Sequence, residues 1–444
     1  MSRHFDVVVI GAGAAGLAAA HALGKADRRV LVLESRERIG GRVHTVHDPQ
    51  WPMPLELGAE FIHGDAPATR RIARAAGLAV IELPERHALV HGGRWRPIGD
   101  QWSRFASLCQ KIPVHGPDRP FGAFLASRRG LSPQLRFLAR MLVEGYHAAP
   151  LDDVSARSLV ADASDAEPRH NRQYRLPGGY DGILSWLRSG LDPARVTLRL
   201  STPVRGVKWS RGGVAVQCRP RAASGLHLFH AKAAVVTLPV GVLRAHPDAP
   251  GALRFDPPLH AKTRILDLFG EASVQRVVLR FREAFWTEAN FVAARAGRNG
   301  ADPAFLHDAN AAFPTWWTSA PVQAPVLTGW AGGPAAQRLE GLSQTSILER
   351  ALDALGRVLS VRRPALDDAL DGTASHDWHS DPWTRGAYTY LKVGGSDAPA
   401  RLARPLSGTL FFAGESTSSD ETGTVSGALA SGARAAREIL RTFS

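Results

Sequence analysis

Three glycines, Gly11, Gly13 and Gly16 in the run Gly-Ala-Gly-Ala-Ala-Gly, have the spacing that brings a backbone under a pyrophosphate. Gly11 permits a tight turn, Gly13 lets the chain approach the phosphates, and Gly16 lets a helix pack on the preceding strand. The N–H groups of Gly13, Ala14 and Ala15 would then open that helix, where orphan donors and the positive dipole end favour an anion. A lone match to this pattern is weak, and its surroundings make it specific. Residues 6–10 are a continuous β-branched run, residues 17–23 suit a helix, and residues 30–33 form a second apolar run. Strands buried on both faces of a parallel sheet read this way. The second run ends at Glu34, about 23 residues beyond Gly11, near the spacing at which a carboxylate accepts hydrogen bonds from ribose hydroxyls. The expected chemistry is dinucleotide binding.

Two further motifs follow, Gly40-Gly41-Arg42 and Leu57-Gly58-Ala59-Glu60, with His63 shortly after. A glycine doublet lets backbone pass beneath a dinucleotide, and a guanidinium suits a bidentate diphosphate contact. With these motifs in this order the chain resembles the flavin-containing amine oxidase family, which includes monoamine, polyamine and L-amino-acid oxidases and bacterial relatives. The resemblance implies FAD, with Arg42 on the diphosphate, Gly58, Ala59 and Glu60 beside the flavin, and the backbone of Val204 at the adenine. Residues 409–412 read as a last strand entering Gly414-Glu415, with a helix starting near Thr424-Val425. By the same resemblance Gly414 and Glu415 hold the ribityl-diphosphate region. Thr424 and Val425 begin a helix aimed at the N1/C2 carbonyl edge of the flavin, where negative charge collects on reduction.

On the substrate side the resemblance assigns Trp378 and, ten residues later, Tyr388 to aromatic walls that exclude water and orient an amine. His63 matches a position lining the cavity in polyamine-type relatives, and its ordinary pKa range suits an amine's proton equilibrium. Three departures stand out. Ala387 occupies the position where monoamine oxidases carry a flavin-linked cysteine, so FAD is expected to be non-covalent. Thr424 replaces a second cage tyrosine. Arg276 replaces a lysine that the family uses, through water, near flavin N5; a guanidinium keeps the charge but not the compact shape, which points to slower reoxidation by O2. The implied activity is oxidation of an amine C–N bond to an imine by hydride transfer to flavin N5, with O2 reduced to H2O2. The alternatives are a flavin-dependent dehydrogenase or desaturase with another acceptor, or a non-catalytic flavin-stabilised interaction protein.

The elements that must position these residues belong to a chain of 444 residues with 44% hydrophobic and 21% charged residues, long enough for more than one core. An α/β fold is expected: a doubly wound FAD domain from residues 1–65, 190–255 and 400–444, interleaved with a mixed α+β substrate domain from 66–189 and 256–399. Residues 135–144 read as plain helix, and His91-Gly92-Gly93 as a hairpin turn. The net charge of +13 is scattered in short Arg pairs without interleaved aromatics, which argues against nucleic acid and membrane partners. Two cysteines outside any metal spacing argue against a disulfide framework or a metal site and for a cytoplasmic protein. The partners expected are a small amine and O2, with the oligomeric state left open.

Overall fold

The buried β-branched runs near the N-terminus form the middle of a parallel sheet. The computed structural model describes residues 5–160, 172–220 and 225–443. In it, strand β1 (Phe5–Ile10) lies between β2 (Val30–Leu33) and the strand His227–Val236, parallel to both. Val196–Arg199 extends the sheet beyond β2. The long strand His227–Val236 changes partner along its other edge. Its first half pairs antiparallel with Gly213–Cys218, and Ala234, Val235 and Val236 pair in parallel with Leu410–Phe412. The carboxyl ends of β1, β2 and Leu410–Phe412 therefore meet, and they deliver Gly11, Glu34 and Gly414 to one crevice, where an open α/β sheet binds its ligand.

Helix α1 (Ala14–Lys25) and the terminal helix Val425–Thr442 pack together over this sheet. Their contact is close because small residues line it: a Cβ added to Gly432 would lie 2.1 Å from the Ala15 carbonyl oxygen. A Cβ on Gly16 would lie 1.9 Å from the Gly11 carbonyl oxygen, which is the physical content of the third motif glycine. Helices Pro67–Ala75 and Asp181–Ser189, from the stretch assigned by sequence to the substrate half, also join the core around α1.

A second sheet of seven strands carries the other half of the molecule, in the order Leu370–Ser375, Val274–Phe281, Val326–Gly332, Thr315–Thr318, Phe305–His307, His87–His91, Arg94–Ile98. The last two strands form the hairpin expected at Gly92-Gly93. A helical layer including Gln101–Cys109, Phe121–Ser127 and Pro133–Met141 has its own apolar core. The expected plain helix to residue 144 differs here. After Met141 the chain widens into a π-helical turn, Leu142–Tyr146, a local geometry often found at functional sites. Among the described residues no helix is long and apolar enough to cross a membrane.

Candidate active site

Both halves open on one cavity of about 890 Å³. On the nucleotide side it is lined by Gly11, Gly13, Ala14, Ala15, Glu34, Arg42, Val204, Gly414, Glu415, Thr424 and Val425, with Gly16 just behind the lining, against the Gly11 carbonyl. Glu34 is buried and braced, accepting from the Ala12 N–H at 2.8 Å and the Arg36 N–H at 2.9 Å. Arg42 donates through Nη1 to Glu415 Oε1 and to the Ala387 carbonyl, both at 3.0 Å, which ties the Gly-Gly-Arg loop to the C-terminal strand end. Glu415 in turn accepts from Thr389 Oγ1 at 2.7 Å. Thr424 caps the terminal helix, its Oγ1 accepting from the Gly427 N–H at 2.9 Å.

The crevice fits a dinucleotide. Gly13 begins α1 with no side-chain cap, so donors at the helix start are left for a ligand. A Cβ at Gly13 would find its nearest neighbour at 3.8 Å, and one at Gly414 would meet nothing within 4 Å, so both backbones border open space. When bound, FAD would rest on the Gly11–Gly16 turn, Glu34, Arg42 and the start of the terminal helix.

The substrate side is aromatic. Tyr388 donates from its hydroxyl to the Tyr146 carbonyl at 2.6 Å, and Trp378 donates from Nε1 to the Leu57 carbonyl at 2.8 Å. Both side chains line the cavity on fixed geometry, and burial pushes the Tyr388 phenol well above its usual range, so it stays neutral. His63 also lines the cavity, edge-on to the Tyr146 ring at 5.1 Å between centroids. Burial, with His147 acting in the same direction, pulls its pKa down to about 4. Its ring is therefore neutral at pH 7.

Arg276 is fully enclosed rather than a solvated strand residue. It donates from Nη1 to the Gly58 carbonyl at 2.8 Å and from Nη2 to Glu60. Glu60 is gripped a second time by Arg175 Nη2 at 2.6 Å and accepts from Trp317 Nε1 at 3.2 Å. The carboxylate is thus held between two guanidiniums inside the wall, with Gly58 and Ala59 beside it on the lining. A buried charge needs such pairing. Sequence reading singled out Arg276 and Glu60 separately and missed Arg175, which reaches Glu60 from the strand Gln173–Arg175.

Other wall residues also escaped sequence reading: Trp102, Phe105, Tyr146, Phe305, Trp317 and Trp330, with His87 and His307. They come from several distant segments, and spacing links them only within a segment: Trp102 and Phe105 three apart on one helix, Phe305 and His307 two apart on one strand, and Thr315 and Trp317 two apart on another.

Residues 14–440 match the family model described as flavin containing amine oxidoreductase. The chain is 29% identical over 475 residues to probable polyamine oxidase 4 of Arabidopsis thaliana, covering 98% of this chain and 87% of that one. It is 30% identical over 474 residues to polyamine oxidase 3 of Oryza sativa subsp. japonica, covering 98% and 88%. Among solved structures, putrescine oxidase bound to putrescine superposes with a TM-score of 0.80 at 22% identity, covering 99% of this chain and 100% of that one. Cyclohexylamine oxidase from Brevibacterium oxydans superposes with a TM-score of 0.79 at 20% identity, covering 99% of each chain. At these identities the superpositions speak for the fold.

Proposed function

The chain belongs to the flavin-containing amine oxidoreductase family and is a FAD-dependent amine oxidase, and from that premise we propose that its substrate is a small amine with an apolar body and that O2 takes up the electrons as H2O2. The carrying observation is the chamber that adjoins the dinucleotide crevice. Tyr388, Trp378, Trp317, Trp330, Phe61 and Phe305 supply its rings, and Glu60, the carboxylate set among them, is already paired with Arg175 and Arg276. At Glu60 a second ammonium on a polyamine would have to displace Arg175 or Arg276, and breaking a buried pair is costly.

FAD, when bound, supplies the two-electron acceptor. Tyr388 and Trp378 exclude water and hold the amine carbon, with their polar ends fixed on the Tyr146 and Leu57 carbonyls. Neutral His63 offers a hydrogen-bonding ring without adding positive charge beside the amine. The capped start of the terminal helix aims a positive dipole end into the crevice. A cytoplasmic setting belongs to the same reading, since Cys109 and Cys218 form no disulfide.

Stopped-flow bleaching of the yellow protein tests this reading directly. Anaerobic mixing with benzylamine, hexylamine, putrescine, spermidine and L-leucine is expected to reduce the flavin fastest with the first two, and admission of air to regenerate it with stoichiometric peroxide. If no amine in the panel bleaches the flavin, the reading fails. If putrescine or spermidine is fastest, the apolar-body assignment fails and amine oxidation stands.

A further inference from the structure

A line of polar side chains runs along the cavity face of the seven-stranded sheet beside the Phe305 ring. Thr315 Oγ1 lies 3.2 Å from His307 Nδ1, His307 Nε2 lies 3.0 Å from His87 Nδ1, and His87 Nε2 lies 3.2 Å from Glu85 Oε2. Thr315, His307 and His87 line the cavity. The two imidazoles are buried, while the Glu85 side chain is 37% exposed. The line thus joins the chamber to solvent through three successive contacts. Thr315 pairs with Trp330 across the sheet, and Trp330 pairs in turn with Arg276.

We propose that Thr315, His307, His87 and Glu85 form a relay that carries the proton of a bound alkylammonium from the cavity to solvent. The proposal rests on the amine oxidase reading. An ammonium has no lone pair and is penalised in an aromatic chamber, so a proton must leave before the C–H bond is broken. With both rings neutral and Glu85 ionised, the contacts have one consistent assignment. Thr315 O–H donates to His307 Nδ1, His307 Nε2–H donates to His87 Nδ1, and His87 Nε2–H donates to Glu85.

The proton count closes. The ammonium gives its proton, directly or through water, to Thr315 Oγ1 as the hydroxyl passes its own to His307 Nδ1. The Nε2 proton of His307 moves to His87 Nδ1, the Nε2 proton of His87 moves to Glu85, and Glu85 releases it to solvent. One proton leaves the substrate, one reaches water, and each residue keeps its number of protons. The transfers leave both rings as the opposite tautomers, and each returns to its starting form by gaining a proton at Nε2 and losing one from Nδ1 through exchange with water before the next turnover.

The surroundings suit neutral rings and a titrating outlet. Burial pulls His87 down to about 3, and burial together with the neighbouring His87 ring pulls His307 well below the imidazole range. The ring of Phe305 stacks on His87 at 4.4 Å and keeps that face dry. Glu85 is pushed up to about 7 by burial, then by Glu82 and Asp100, against a lowering hydrogen bond from the Gln173 N–H. The neighbouring cations are directed elsewhere, Arg86 to Asp302 and Arg172 to Glu82.

The test uses the flavin-loaded enzyme and the fastest amine of the panel above, reading the limiting rate of anaerobic flavin reduction between pH 5.5 and 9. Glu85→Gln and Thr315→Val are each expected to slow reduction about ten-fold or more near pH 7 and to remove the inflection near neutrality, with amine Kd within about two-fold of wild type. Glu85→Asp is expected to restore the inflection. Unchanged rate and pH profile in both variants overturn the proposal, and so does a loss confined to one of them, since a serial relay needs every member. A lowered Tm with the wild-type pH profile assigns these residues to structure alone and also overturns it. Failure of every amine to bleach wild-type flavin instead defeats the underlying reading.

Discussion

Arg276 joins the substrate sheet to the Gly58 carbonyl and the Glu60 carboxylate, so its charge is neutralised within the wall. Arg276→Lys would place a shorter, compact ammonium at the same position and leave room for water beside it. Reoxidation of the reduced enzyme in aerated buffer is expected to speed up about ten-fold, followed as return of flavin absorbance. Glu271 makes a separate prediction. Both its oxygens are buried, and burial first, with Glu415 second, raises its pKa to about 8 against the lowering effects of Arg42, Arg244 and the Gly241 N–H. Below the ordinary carboxylate range the group is protonated whether folded or unfolded and contributes nothing to the pH dependence. Between that range and about 8 the unfolded chain ionises while the folded one does not, so this group makes stability fall as pH rises. Glu271→Gln should flatten that fall and raise Tm at pH 8 by about 1 °C for each kcal/mol recovered, measured by thermal melts at pH 5 and pH 8.

At the scale of elements, the terminal helix is held by its start and by its contact with α1. Thr424→Ala removes the cap to the Gly427 N–H and should cost about 1 kcal/mol. Gly432→Ala drives a methyl into the Ala15 carbonyl and should cost about 1–3 kcal/mol by overpacking. The two variants differ in a way that can be measured. Gly432→Ala shifts the start of α1 against the dinucleotide crevice and should weaken flavin retention on a desalting column, whereas Thr424→Ala lowers Tm with less loss of flavin. Elements with strong local signals, such as β1, α1, β2 and the Gly92-Gly93 hairpin, were readable because their periods and turn residues sit in one stretch of chain. The π-helical turn at Leu142–Tyr146 was not, since its extra residue per turn is selected by what Tyr146 packs against, namely Trp102 and His63, rather than by its own composition.

Over the whole molecule the two sheets are joined through the cavity, and FAD would touch strand ends from both termini of the chain. Ligand binding to the folded state alone should therefore stabilise the entire chain. Flavin-stripped protein is expected to melt lower, and adding FAD at about 1,000 times Kd should restore about 4 kcal/mol, seen as a concentration-dependent Tm. The sequence by itself determined the cofactor side of this protein. Gly11, Gly13, Gly16, Glu34 and Arg42 lie within one continuous segment, and a phosphate-binding turn is built from neighbours along the chain. Only the tertiary structure decided the charged and polar partnerships on the substrate side. Glu60 meets Arg175 and Arg276, and Glu85 reaches Thr315 through two imidazoles, across gaps of more than a hundred residues in most cases. Sheet pairing sets those meetings, and burial then sets which groups are charged. Neither pairing across distant strands nor loss of water around a side chain is written in the spacing of residues.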